Sequence, residues 1–440
     1  MKLGVENNMQ SIWTESSQRL NFKSLKGDVK TDVLIIGGGM AGILIAYFLE
    51  QAGVDYMLVE GKTIGDGITK KTTAKITSQH GLIYDKLIHD NGVEKAKQYL
   101  DANQLALKRY KEICENVDCD FEEKSAYTYS LSDRIKIERE IKAVYRLGLV
   151  AEFIEDLPLP FKTCGAIEFK NQAQFHPLKF INAIAKNLNI YENTFIKELG
   201  ENAVITNAGK IIPQKIIVAT HFPVINKHGM FFLKMYQHRS YVIALENAQN
   251  VHGMYVDEAQ EGMSFRNYKN LLFIGGGDHR TGEEGGNWKE LRGFAKKYYP
   301  NAIERYAWAT QDCITLDGIP YIGQYATNTP NLYVATGFNK WGMTSSMISA
   351  ILLSDMIIGR DNPFEKLFSP NRSMLKSQLL LNGVAAVANL LKPKTKRCPH
   401  LGCALTWNEV EQTWDCPCHG SRFEKNGDLI DNPATGSLKK

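Results

Sequence analysis

The sequence predicts an α/β fold: a nucleotide-binding domain assembled from separate segments, interleaved with an α+β domain and followed by a small β-rich module. Three observations carry this. From Thr31 the chain reads as strand, glycine-rich turn, helix and strand (DVLIIGGG, MAGILIAYFLEQAG, VDYMLVE). Far downstream, Ala335–Thr344 makes a second strand–turn–helix. Close to the end, Cys398, Cys403, Cys416 and Cys418 crowd together with His400 and His419, which in a chain with no secretory leader argues for a metal centre.

Taken in order, residues 1–30 read as a polar lead-in. The nucleotide-binding domain is expected to comprise 31–84, 146–222 and 312–360, and the second domain 85–145 and 223–311. The first part of the second domain has helical periodicity, and the second part has strand-like runs (SYVIALE, NLLFIGGG). Residues 361–396 form a linker with a helical stretch over 371–391 and a basic hinge, KPKTKR. Residues 397–440 are a separate module.

A length of 440 residues suits two or three domains at ~150 residues each. With 44% hydrophobic and 23% charged residues, the chain can bury a large core as a soluble protein. A net charge of +4 without long basic runs points away from a nucleic-acid partner. The apolar stretches Met343–Ile358 and Leu379–Leu391 are interrupted and fall short of the ~20 residues of a spanning helix. No transmembrane segment is expected, and the expected location is cytoplasmic. A peripheral membrane position for the 371–391 helix is the alternative, disfavoured because its polar face lacks Lys and Arg.

Gly37-Gly38-Gly39-Met40-Ala41-Gly42 fits G-x-G-x-x-G between strand and helix. Gly37 permits the turn, Gly39 lets the backbone approach a pyrophosphate, and Gly42 lets helix pack on strand. Met40 and Ala41 open the helix whose N-terminus attracts phosphate. Glu60 ends the next strand, where an acid accepts ribose hydroxyls. This is a Rossmann-like dinucleotide site, and two features favour FAD over NAD. Gly67, Thr72, Thr73 and Ala74 lie in a small-residue loop just after Glu60. Gly337, Gly342, Met343 and Thr344 form the second turn, whose helix N-terminus can stabilise negative charge on a reduced flavin. Phe273–Asp278 lacks the third glycine and a following apolar helix, so it reads as a turn closing a strand, and no nicotinamide site is expected.

These residues, with Asp317–Gly323, resemble the FAD-dependent D-amino-acid oxidase-like superfamily, which includes glycine and sarcosine oxidases, over about Thr31 to Gly359. The resemblance implies a flavoenzyme acting on a small substrate of amine or amino-acid type. It places Lys75 where relatives hold a basic residue beside the ring, with His80, Lys340 and Trp341 as further candidates near the flavin. Arg239, Tyr241, Arg266 and His279, at strand ends, are candidates to bind a substrate carboxylate, with surface ion pairs as the alternative. Where amino-acid oxidising relatives carry a carboxylate-binding lysine, this chain has Thr344, which argues against a simple amino acid.

The C-terminal segment contains C-x-H, fifteen intervening residues, then C-x-x-H. Two thiolates on one iron and two imidazoles on the other is the ligation of a Rieske [2Fe–2S] centre. Tetrahedral zinc is the alternative, although zinc sites usually pair like ligands at short spacing. The module resembles the Rieske proteins of quinol-oxidising cytochrome complexes. That resemblance implies Cys398, His400, Cys416 and His419 as ligands and Cys403–Cys418 as a disulfide. It also implies Ser421 as a hydrogen-bond donor to the cluster, and sets Phe423 where the family often has tyrosine. Only the cluster-binding half is present, so the module is expected to lean on the rest of the chain.

The expected activity is FAD-dependent oxidation of a small organic substrate, with electrons passing singly through the cluster to an acceptor, protein or quinone. The alternatives are an oxygen-using oxidase with a structural cluster, and a redox sensor or electron carrier without a dedicated substrate. Rieske oxygenase chemistry is disfavoured because no two-His-one-carboxylate spacing is apparent.

Overall fold

The computed structural model describes residues 10–200, 203–225, 228–285, 287–373 and 396–438. The first sheet runs in the order Tyr321–Gln324, Leu332–Thr336, Lys210–Val218, Val29–Ile36, Tyr56–Val59, Ile190–Tyr191. Its four inner pairings are parallel and Tyr321–Gln324 is an antiparallel edge. Val33–Ile36 and Tyr56–Val59 are apolar at every position because both faces are covered, as parallel sheets require. The helices Met40–Gln51 and Gly342–Ile358 pack together over one face, and both are apolar or small nearly all round.

The second sheet runs Ile303–Thr315, Met235–Glu246, Leu271–Arg280, Ser264–Tyr268, Met254–Asp257, Glu122–Tyr129, Ala166–Gln174, Lys75–Ile76, with Glu152–Ile154 paired to Ala166–Gln174. Two strands inside the segment 146–222, expected in the nucleotide-binding domain, thus belong to this sheet. Tyr129, Thr128, Tyr127 and Ala126 pair with Ala166 to Phe169, a long-range partnership that the local pattern does not encode. Phe273–Asp278 is not a closing turn. Leu271–Arg280 is one continuous strand, with a register shift opposite Arg239 and Tyr241.

The lead-in is also more than polar chain. Trp13 is fully buried in edge-on contact with His176, Tyr268 and Phe273, and its Nε1 donates to Thr72 O at 2.8 Å. One indole therefore pins the N-terminal segment to the loop before Lys75. The helical stretch expected over 371–391 lies almost wholly outside the described residues. Before it, Glu365–Phe368 is a short helix.

The C-terminal module is a meander of four short strands, Thr406–Asn408, Thr413–Asp415, Arg422–Glu424 and Leu429–Asp431. Its own buried cluster is small, and four of its members are the cysteines. Such a core is too small to stand alone, and the module docks on the end of the second sheet. Among the described residues, no helix is long and apolar enough to cross a membrane.

Candidate functional site

The glycine-rich turn is built by steric exclusion. A Cβ on Gly42 would lie 1.9 Å from Gly37 O, and one on Gly37, at φ +111°, would lie 2.6 Å from Ala219 O. Gly39 differs, since its Cβ would meet only Thr69 Oγ1 at 3.5 Å, so that position opens into space. The space is a cavity of about 1100 Å³. Gly37, Gly39, Met40, Ala41, Glu60, Gly67, Thr72, Thr73, Gly342 and Met343 line it. Gly42, Ala74, Gly337 and Thr344 stand behind the wall, not on it. Gly337 (φ +72°) makes room for Thr315, and Ala74 (φ +54°) offers its carbonyl to Arg266. At the start of the helix Met40–Gln51 the Met40 N–H donates to Thr69 Oγ1 at 3.0 Å, and Gly39 has no side chain to cap the N–H groups that follow, which leaves those for an anion.

Glu60 is buried. Its carboxylate accepts from the N–H groups of Gly38 (2.7 Å) and Lys62 (2.9 Å), which fixes its rotamer at the mouth of the turn. Burial raises its pKa against these two bonds. A helix end with N–H groups to spare, an open glycine and a fixed acid one strand over fit a dinucleotide.

Lys75, His80, Lys340 and Trp341 all line the same cavity. Burial, reinforced by nearby Arg266, pushes Lys75 down to about 7, so its amine can be neutral under ordinary conditions. His80 is not available for proton transfer. Its Nε2 faces the Thr77 carbonyl at 2.8 Å, and its Nδ1 faces the Tyr99 hydroxyl at 2.7 Å. Burial holds its pKa near 3. Its ring instead stacks on Trp341 (4.7 Å, 11°), supporting the residue that opens the helix Gly342–Ile358. Lys340, at φ +71°, pairs with Asp278 at 2.6 Å. Asp278 and Asp312 both line the cavity, and sequence reasoning singled out neither as a functional residue.

The expected carboxylate binders have other partners. Arg239 Nε donates to Glu411 at 3.1 Å, its Nη2 donates to the other Glu411 oxygen, and Tyr241 Oη donates to Glu411 at 3.0 Å. The carboxylate they bind is a side chain of the C-terminal module. Arg266 donates to the carbonyls of Thr73 (2.6 Å) and Ala74 (3.0 Å), and His279 stacks on Tyr241.

In the module, Cys398, Cys416 and His419 are buried. His400 and His419 face each other through Nδ1 atoms 3.3 Å apart, with rings edge-on. Cys398 and Cys416 are in sulfur–sulfur contact, and the Ser421 hydroxyl reaches Cys398. Two converging imidazole nitrogens opposite two converging thiols fit the asymmetric ligation of a Rieske cluster. Cys403 and Cys418, the pair that the resemblance implies as a disulfide, are both buried in the module. The sulfurs of Cys403, Cys416 and Cys418 lie within 4.8 Å of one another.

The ligand loops are pressed onto the second sheet. Gln237 Nε2 donates to His419 O (2.6 Å), and Gln311 Nε2 to Gly420 O (2.8 Å). Asn432 Nδ2 donates to Phe222 O (2.9 Å). Phe222 lies edge-on to both cluster histidines. A Cβ on Gly282 would lie 2.6 Å from Pro417 Cα. Beyond this contact, Asp428–Asn432 and Ala434–Ser437 line the same cavity as the glycine-rich turn.

Residues 32–356 match the FAD dependent oxidoreductase (DAO) family, and residues 387–440 match the Rieske [2Fe-2S] domain. The Rieske 2Fe-2S iron-sulfur protein YhfW of Bacillus subtilis (strain 168) is 35% identical over 98% of this chain and 97% of its own. The fold is similar to glycine oxidase from Geobacillus kaustophilus (TM-score 0.66, 17% identity, covering 78% of this chain and 99% of that one). It is equally similar to L-proline dehydrogenase from P. horikoshii (TM-score 0.66, 19% identity, 79% and 98%). The chain belongs to the FAD dependent oxidoreductase (DAO) family and carries a Rieske [2Fe-2S] domain at its C-terminal end.

Proposed function

We propose that this FAD-dependent oxidoreductase is a dehydrogenase for a small amine or amino-acid type substrate, and that it passes the electrons one at a time through the Rieske cluster to an acceptor. The observation that carries this is the shared wall: the Rieske segment 428–437 closes the cavity that the FAD-binding turn opens. FAD supplies the capacity to take two electrons from carbon and release them singly, and a [2Fe–2S] cluster carries one. Gly37, Gly39 and the helix Met40–Gln51 hold the pyrophosphate, and Glu60 holds the ribose. His80 and Trp341 set the entrance of the helix Gly342–Ile358 at the other end. Cys398, His400, Cys416 and His419 hold the cluster.

The test is anaerobic reduction by candidate substrates, read by flavin absorbance and by EPR. Flavin bleaching followed by a Rieske signal is expected. Peroxide formed in air with the cluster left oxidised overturns the relay in favour of an oxidase.

Lys75 accepts the proton that leaves the substrate nitrogen. Because its pKa is lowered to about 7, it is protonated below that pH and able to accept above it. Stopped-flow flavin reduction is therefore expected to rise through pH 7. Lys75→Met is expected to remove that rise and slow reduction by about 10²-fold, the usual contribution of a general base.

Phe423 is buried against the cluster cysteines. Phe423→Tyr adds a donor that favours the more negative reduced cluster. A bond to a charged group of ~1.5 kcal/mol corresponds to an upward shift of about 60 mV, measurable by redox titration followed by EPR.

A further inference from the structure

The cavity carries a charge pattern that narrows the substrate. Asp278 lends one carboxylate oxygen to Lys340, while its other oxygen, Oδ1, is buried with no hydrogen-bond partner. Asp312 lines the same space from the strand Ile303–Thr315. Across the ladder from Asp312 stands His238, which is 8% exposed and has its Nδ1 buried and unpaired. Ser240, two residues on, lines the cavity with its hydroxyl also buried and unpaired. Two carboxylates and one ammonium leave a net negative charge on this part of the wall beside buried, unsatisfied polar atoms. Such a charge is costly unless a cation completes it.

Cations able to hold a substrate carboxylate are missing from this wall. Among the described residues no arginine lines the cavity. Arg239 is neutralised by Glu411, and Arg280 lies over the Tyr236 ring at 5.0 Å. Of the lysines on the wall, Lys70 pairs with Asp66 at 2.6 Å, Lys71 faces Asp431, and Lys340 is held by Asp278. Lys62 is at the Glu60 end. Lys75 carries little charge above pH 7. Planar bidentate recognition of an α-carboxylate is normally the task of arginine.

We propose that Asp278 and Asp312, with Ser240 on the wall and His238 across the ladder from Asp312, form the receptor for a cationic amine nitrogen, and that the substrate is an amine without an α-carboxylate. This deepens the dehydrogenase reading and rests on it. Asp312 binds the incoming ammonium directly, and Asp278 shares its charge between Lys340 and the ligand. Burial pushes Asp312 up to about 6 while Lys340 pulls it down, Asp278 pushes it up and Arg239 pulls it down, so Asp312 is mostly ionised at neutral pH.

The experiment compares matched pairs on the purified holoenzyme under anaerobic conditions: n-butylamine with norvaline, benzylamine with phenylglycine, and putrescine with ornithine. In at least one pair the amine is expected to reduce the flavin with a kcat/KM at least tenfold above that of its amino acid. Asp312→Asn is expected to raise KM for that amine at least tenfold, with the dithionite-reduced Rieske signal unchanged. Should Asp312→Asn fail to fold, Asp278→Asn and the wild-type pair ratios decide the matter. Amino acids preferred in every pair, or no amine that either bleaches the flavin or perturbs its spectrum, would overturn the inference. Flavin bleached by the amine while the cluster stays oxidised is a different failure. It removes the relay and leaves the amine receptor standing.

Discussion

Glu411→Ala is expected to disconnect the cluster from FAD while leaving both centres assembled. Glu411 is the hinge of a buried network: Arg239 and Tyr241 reach it from the second sheet, and Arg422 Nη2 reaches it from within the module at 2.8 Å. Arg239 and Arg422 are 1% and 3% exposed. Removing the carboxylate leaves two guanidinium groups facing each other out of water, and breaking a buried pair in this way costs about 3–5 kcal/mol. Arg422 keeps Asp415 at 3.0 Å and Asp431 at 3.4 Å, so the module retains its fold. Among the described residues Arg239 has no other ion pair, so the cost falls on the docked state. Substrate should then still bleach the flavin, and dithionite should still produce the Rieske signal. The step from one to the other should slow by about 10²-fold or more, which corresponds to the lower end of that cost.

The same residue gives the coupling a pH dependence. Burial works to raise the pKa of Glu411, but Arg239 and Arg422 outweigh it and hold the carboxyl at about 2, below its ordinary 4.5. A depressed carboxyl contributes its full stabilisation above the unfolded value and loses it as pH falls through the folded one. Docking should therefore be insensitive to pH above 4.5 and weaken as pH falls from there towards 2. Glu411→Ala lacks that dependence.

The strand Met235–Glu246 shows how one element serves two centres. Successive side chains of a strand point to opposite faces. Gln237, Arg239 and Tyr241 hold the Rieske module, while Ser240 between them lines the cavity. On the neighbouring strand, Gln311 bonds the ligand loop, and Thr310 and Asp312 flank the cavity. The two-residue period thus divides the strand between two tasks, although Tyr241 and Gln311 also reach the cavity, whose wall the module's segment 428–437 completes.

This division explains what the sequence could and could not reveal. The glycine-rich turn and the cluster ligands were legible because their chemistry is local: a turn clamped within six residues, and two ligand loops joined by a short hairpin. Apolar runs such as VLII and the helix around Gly342 showed which elements are buried on all sides. Trp13 was not legible, since it is a lone apolar residue whose partners, Thr72, Tyr268 and Phe273, lie far along the chain. Arg239 and Tyr241 were recognised as carboxylate binders, but the carboxylate is supplied by a residue some 170 positions later. The strand Ala166–Gln174 looks like any buried strand, and only its pairing with Glu122–Tyr129 assigns it to the second sheet. Asp278 and Asp312 carry no motif and acquire meaning only when two strands bring them to Lys340.

Gly42→Ala is expected to yield protein that has lost FAD but keeps its iron. The added Cβ would lie 1.9 Å from Gly37 O and 3.1 Å from Gly37 C, so the clash is with backbone and no rotamer relieves it. Gly37 cannot retreat, because its own Cβ direction is blocked by Ala219 O at 2.6 Å. The helix Met40–Gln51 must therefore move off the strand, at a cost of about 1–3 kcal/mol or more for an overpacked contact. Its N-terminus moves with it, away from the phosphates it serves. Flavin content per chain should fall at least tenfold, the melting temperature of the apoprotein should drop, and the reduced Rieske signal should persist. Gly39→Ala is the discriminating control. Its Cβ meets only Thr69 Oγ1 at 3.5 Å within the protein, so the apoprotein should melt as the wild type does. If Gly39→Ala nevertheless loses flavin, the space it fills is space the dinucleotide needs. If it retains flavin at wild-type occupancy, the pyrophosphate does not pass over Gly39 and the placement of the cofactor on this turn is wrong.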